Sequence, residues 1–220
     1  MMRVAKGGHQ HMRKTAGFLG IGACVLIWAA SLVFGAIRPG YSHSVNTLSE
    51  LGAIGTPNAT LWNITGFIVP GLLLAVTGGV IAQSVSRERS KALTLASLLL
   101  VISGLAVAGQ GLIPAKMANG VADVTSNYTK GHFISSIISG VAWAAGALVL
   151  VGPMKRSPAW RGYQVASVIL VVLTLVAALT LRGVLPDGLA QRTGNVVFQA
   201  WFVLMSAKLI QIGRLKPLAT

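Results

Sequence analysis

Apolar residues in this chain fall into six long runs. They form neither the stripes of amphipathic helices nor the period-two alternation of half-buried strands. The runs cover residues 15–37, 61–85, 92–113, 131–151, 163–181 and 194–212. Each is close to the roughly 20 residues that a helix needs to cross a bilayer core about 30 Å thick. The missing alternation excludes a transmembrane barrel. The pattern therefore predicts an all-α fold, a polytopic membrane bundle of six transmembrane helices. The connections are too short to fold separately, so residues 1–220 are expected to form a single transmembrane domain.

Composition agrees, since 54% of the residues are hydrophobic, only 10% are charged and the mean hydropathy is +0.72. A net charge of +14 would suggest a nucleic-acid partner in a soluble protein. The placement of the charges gives another reading. With the N-terminus inside, Arg3, Lys6, Arg13, Lys14, Arg87, Arg89, Lys91, Lys155, Arg156, Arg161, Lys208, Arg214 and Lys216 share the cytoplasmic face. Only Arg38, Lys116, Lys130, Arg182 and Arg192 fall on the other. Positive charge accumulates inside, so both termini are expected in the cytoplasm, with the basic face meeting anionic lipid headgroups. Membrane lipid is the partner this implies, and nucleic acid is not.

The first run exceeds the roughly 7 to 15 residues of a signal-peptide core, which makes it a retained anchor. Cys24 is the only cysteine, so no internal disulfide can form. Sequons at Asn58, Asn63 and Asn127 lie on the outer side, very near the bilayer, and are read as chance in a bacterial cell-membrane protein.

Cytoplasmic connections are short and basic, whereas residues 38–60, 114–130 and 182–193 form longer outer connections, where any chemistry is expected. Gly and Pro recur where outward helices end, at Gly35 and Pro39, Gly111 and Pro114, and Gly183 and Pro186. They are read as interface terminators, with tandem hairpins the other possibility.

His132, Ser136, Gly140 and Ala144 recur every fourth residue on the fourth helix, a small-residue face expected to pack closely inside the bundle. Arg192, Asn195, Gln199 and Ser206 form a stripe on the sixth, Asn63 and Thr77 flank Pro70 on the second, and Gln110 ends the third. Lipid exposure of these groups would be costly, so an outward-opening polar pocket is expected. His132 and Arg192 should face it, with Asn63 and Gln199 at its border.

Thr47 and Glu50 fit a capping box for a short helix ended by Gly52. His43, Glu50, Asp123 and His132 could ligate zinc, but no tight ligand spacing supports a metal, and no cofactor is expected. A b-type haem needs paired helical histidines, and only His132 sits on a predicted span. Nucleotide-binding and nucleophile-elbow signatures are absent.

The continuous stretch from Pro39 to Ala53, followed by Leu61, Trp62, Asn63 and Gly71, resembles the domain-of-unknown-function 998 family of prokaryotic membrane proteins. Gly111 to Pro114 with Gly131 and His132, and Gly188 to Arg192 with Trp201, resemble its later segments. The resemblance implies a six-helix fold akin to the Frag1-like proteins, which include eukaryotic factors in lipid-anchor remodelling, and it implies no activity. Lys116 stands where relatives often carry an acid after the proline matching Pro114, and Asp123 is the nearest acid.

The leading expectation is a site for a lipid or amphiphile. Arg192 would pair an anionic headgroup, with His132, Asn63, Gln199, Glu50 and Gln110 supplying hydrogen bonds. An intramembrane hydrolase or acyl transferase is the alternative, with His132 as general base and Glu50 or Asp123 orienting it. A transporter or a subunit of a membrane complex is the third, so whether the protein is an enzyme stays open.

Overall fold

The computed structural model describes residues 2–86, 88, 90–118 and 121–214, with side chains from residue 8 onward. Arg87, Arg89 and Lys216 of the basic face lie outside the described residues, as do the side chains of Arg3 and Lys6. The chain is an all-α bundle with six helices long and apolar enough to cross a membrane. In order these are α1 (Met2–Ile37), a composite helix of α3 (Ala59–Trp62), a π-helical turn (Asn63–Ile68) and α4 (Val69–Ser84), then α5 (Lys91–Leu112), α6 (Asn127–Val149) continued by α7 (Val151–Arg156), α8 (Tyr163–Thr180) and α9 (Asp187–Arg214). A four-residue helix, α2 (Leu48–Leu51), lies in the first long connection, and a two-residue hairpin, β1 (Met117–Ala118) with β2 (Val121–Ala122), in the second.

Three spans run past the apolar segments, α1 at its start, the fourth at both ends and α9 at both ends. The added turns are polar, and backbone hydrogen bonding continues a helix into the interface wherever water or neighbouring chain satisfies the side chains. In α9 the extra first turn opens with Asp187, an acid at the positive end of the helix dipole. Pro70 explains the π turn. It has no N–H to close a regular turn, and the ladder widens just before it, with Val69 N–H reaching back to Ile64 O.

The helices close into a ring in which α1 packs on α4, α4 on α5, α5 on α6, α6 on α8, α8 on α9 and α9 on α1. Backbones come nearest between α4 and α5. A Cβ on Gly104 would lie 2.6 Å from Ala75 Cα and 2.7 Å from Gly71 O, so both helices need glycine there. Single polar clasps join neighbours: Thr77 Oγ1 to Ala16 O at 3.0 Å, Ser103 Oγ to Ser139 O at 2.9 Å, and Trp201 Nε1 to Ser167 Oγ at 3.0 Å. Each contributes about 1 kcal/mol in a bilayer.

The half of the ring nearer the termini is filled by Leu74, Ile81, Leu100, Trp143, Trp201, Phe202 and Met205, all buried. The other half holds a smaller cluster of Leu48, Leu51, Trp62, Phe67 and Val107 beneath the first long connection. Val25, Leu32, Leu98, Leu105, Ile137, Val141 and Leu179 face outward, as a lipid-contacting surface requires.

The face of α6 differs from the expectation of close packing. His132 and Ala144 are buried, but Ser136 and Gly140 are exposed, and a Cβ on Gly140 would meet nothing within 4 Å. No neighbouring helix fills the space these small residues leave.

Candidate functional site

The connection between α1 and α3 folds back over the open end of the ring. Gly188 allows it, since a Cβ there would lie 2.6 to 2.7 Å from the carbonyl oxygens of Asn46, His43 and Ser44. The carbonyls instead cap α9. Gly188 N–H donates to Val45 O at 3.0 Å and Leu189 N–H to Ser44 O at 2.9 Å, satisfying orphan amides of the first turn. In return Gln191 Oε1 accepts from Leu48 N at 2.6 Å and caps α2. Glu50 closes α2 from within. Its carboxylate accepts from Thr47 N at 2.8 Å, Thr47 Oγ1 at 3.1 Å and Asn46 Nδ2 at 2.7 Å, while Arg38 donates to its main-chain oxygen.

Arg192 is 9% exposed and faces this connection. Nη1 donates to Asn46 O at 2.7 Å and Gly188 O at 3.1 Å, and Nη2 donates to the Tyr41 hydroxyl at 2.6 Å and to His43 Nδ1 at 3.2 Å. Only Nε lacks a partner. The Tyr41 hydroxyl in turn donates to Thr47 O at 3.0 Å. Burial raises the Tyr41 pKa above its ordinary range despite the adjacent guanidinium. The His43 pKa is lowered, first by burial and then by the charge of Arg192.

His132 is 2% exposed. Its Nδ1 lies 3.0 Å from Gln110 O and 3.2 Å from Ile113 O, and its Nε2 lies 2.8 Å from Ser49 Oγ. Carbonyls only accept, so Nδ1 carries the proton and Nε2 is left to accept from the serine hydroxyl. The Phe67 ring stands edge-on to the imidazole, with centroids 5.8 Å apart. Ser49 was not among the residues that the sequence singled out. It lies between the two members of the capping box and 83 residues from its partner, and nothing local distinguishes it from a spacer.

Asn63 Nδ2 donates to Gly52 O at 2.9 Å, and its Oδ1 is buried without a partner. Asp123 serves the second connection. It accepts from Thr125 Oγ1 at 2.6 Å and Thr125 N at 3.1 Å and pairs with Lys116 at 3.9 Å; the Thr125 hydroxyl contributes most to lowering its pKa. Among the described residues no three His, Cys, Asp or Glu side chains come together.

Inside the ring, beneath α2, lies a cavity of about 230 Å³. Its apolar wall includes Ile27, Leu48, Trp62, Phe67, Leu74, Val107 and Phe198. Its polar side includes Gln110, Ser136, Gln191, Asn195, Gln199 and Arg182. Gln199 is 4% exposed and its Oε1 has no hydrogen-bond partner. Gln191, Asn195 and Gln199 are spaced by four residues along one face of α9, which sets successive amides about 6 Å apart along the axis. Ser136 and Gly140 on α6, Ala178 on α8 and Arg182 just beyond it are at once lining and exposed. The mouth therefore lies between α6 and α8, on the lipid-facing side of the ring. Arg192, His132, Asn63 and Glu50 are not on the lining; each hydrogen-bonds the first connection, His132 through Ser49 alone while its other ring nitrogen meets the Gln110 and Ile113 carbonyls.

The model of a family described as protein of unknown function (DUF998) matches residues 21–208. No curated protein and no solved structure matches the chain.

Proposed function

The chain belongs to the DUF998 family, whose description carries no activity, and we propose that it binds a membrane lipid or another amphiphile in the cavity that opens between α6 and α8. The observation that carries this reading is Gln199, a carboxamide almost wholly buried, on the cavity wall, with an oxygen that has no partner. An unpartnered amide in a low-dielectric interior costs about 1–3 kcal/mol, which a ligand hydroxyl, amide or ordered water recovers.

Three further features favour an amphiphile. The mouth faces hydrocarbon, so a chain can enter sideways without crossing water. The Arg182 guanidinium stands at its outer rim with no hydrogen-bond or ion-pair partner among the described residues, free to meet a phosphate or carboxylate. The volume falls below the roughly 300–1,000 Å³ of drug-sized pockets, which suits one acyl segment and its linking group rather than an entire two-chain lipid. This reading moves the headgroup contact from Arg192, whose terminal nitrogens are engaged, to Arg182. It keeps Gln199 and Gln110 as ligand contacts.

Native mass spectrometry of the protein released from nanodiscs tests the proposal. Wild-type protein should retain one lipid, and Gln199→Leu or Arg182→Gln should raise its dissociation constant about tenfold, the equivalent of 1.4 kcal/mol, and so lower its occupancy. An empty wild-type protein, or equal occupancy in all three, would overturn it.

A further inference from the structure

We propose that Ser49 is a nucleophile activated by His132, and that the pair cleaves or transfers the acyl group of a carboxylic ester. The signature of an activated hydroxyl is a base within about 2.6–3.2 Å, held in turn by a third group. Ser49 Oγ lies 2.8 Å from His132 Nε2, and the Gln110 and Ile113 carbonyls hold Nδ1 at 3.0 and 3.2 Å. Those carbonyls fix both the ring orientation and the tautomer, leaving the unprotonated nitrogen toward the serine. No carboxylate is needed for that, and Glu50 is committed to Thr47 and Asn46.

Two placements set this pair apart from the other serine clasps in the bundle. Ser103, Thr77 and Ser167 are fully buried and bond main-chain or side-chain groups with no basic nitrogen, whereas Ser49 is half-buried at the end of the ring that the first connection covers. The pair also abuts the cavity. Leu48 precedes Ser49, Gln110 holds the imidazole and Phe67 lies against it, and all three line the cavity. An acyl chain seated there would bring its ester toward α2.

In the step proposed, Ser49 Oγ forms a bond to the ester carbonyl carbon while its proton passes to His132 Nε2. The bond from that carbon to the alkoxy oxygen then breaks, and the departing alcohol takes the proton from Nε2. Water, or a second alcohol, adds to the acyl-serine by the reverse sequence and restores the hydroxyl. No oxidant or reductant is required. The choice of a lipid ester as substrate rests on the amphiphile reading of the cavity, whereas the reactivity of Ser49 does not.

The test uses the full chain in nanodiscs and a small alkyl fluorophosphonate, which phosphonylates activated serines with loss of fluoride. Peptide mapping should find one adduct, on Ser49. The labelling rate should rise with pH to a plateau as the base deprotonates. His132→Gln keeps an acceptor for the Ser49 hydroxyl but no base, and should slow labelling about 100-fold or more and remove the pH dependence. A bond that merely fastened α2 to α6 would give a serine no more reactive than any other. Failure to label Ser49 in monodisperse wild-type protein, or an unchanged rate in His132→Gln, would overturn the proposal. Because the probe is small and water-soluble, its result is independent of whether the cavity retains a lipid.

Discussion

Arg192 Nη2 donates to the Tyr41 hydroxyl at 2.6 Å across 151 residues of sequence, joining the first turns of the last helix to the connection that follows the first. With the bonds from Nη1 to Asn46 O and Gly188 O, it makes a buried cation whose acceptors are all neutral. Such a guanidinium organises the lid over the ring.

Removing it should therefore cost stability rather than ligand. Hydrogen bonds to charged groups are worth about 1.5–3 kcal/mol each, but neighbours relax and water enters, so Arg192→Met is expected to destabilise by roughly 3 kcal/mol in total. Thermal unfolding in detergent should show a clear fall in Tm, and amide exchange should rise across residues 41–50. A variant with the wild-type Tm but no retained lipid would return Arg192 to the ligand.

Acid should loosen the same lid through His43. Its Nδ1 accepts from Arg192, and burial together with that positive charge lowers its pKa below the ordinary 6.5. The undocked segment then binds the proton more readily than the docked one, so docking is favoured above about pH 6.5 and weakens as pH falls below it. The Gly188 and Leu189 amides, which bond Val45 O and Ser44 O, report on this directly. Their protection, corrected for intrinsic exchange, should fall between pH 7.5 and 5.5 and become pH-independent in His43→Asn. Constant protection in the wild type would show that docking leaves the His43 pKa unshifted.

The six spans were legible because a bilayer imposes length and apolarity on each segment independently. The face of α6 was not legible in the same way. The four-residue spacing of Ser136, Gly140 and Ala144 describes a smooth surface equally well whether a helix fills it or a gap follows, and only the ring geometry decides. Ser49 was invisible for another reason, since its meaning comes from a partner on a different helix. Gln191 is a similar case. Nothing in its neighbourhood on α9 announces that it caps α2.

The first turns of α1 and the last turn of α9 meet at one end of the bundle, where a Cβ on Gly213 would lie 3.0 Å from Gln10 O, and the distribution of Lys and Arg predicts that this end faces the cytoplasm. In a Cys24→Ser background, a cysteine at exposed Val124 should react with an impermeant maleimide in intact cells, and one at exposed Ser90 only after permeabilisation. The opposite pattern would place the Ser49 side of the bundle inside the cell.

Two glycines separate packing from binding. At Gly104 a Cβ would press on Ala75 and Gly71 of α4, backbone that cannot step aside, so Gly104→Ala should destabilise by about 1–3 kcal/mol. At Gly140 a Cβ would meet open space. Replacing a mid-helix glycine there also removes a propensity penalty of up to about 1 kcal/mol, so Gly140→Leu should leave Tm unchanged or raise it. The same leucine would project into the mouth between α6 and α8, beside Ser136, and should exclude an acyl chain. Lipid occupancy measured by native mass spectrometry should therefore drop in Gly140→Leu while stability holds. If occupancy stayed at the wild-type level, a ligand would have to enter elsewhere, and the gap left by the small residues of α6 would be only a defect in packing.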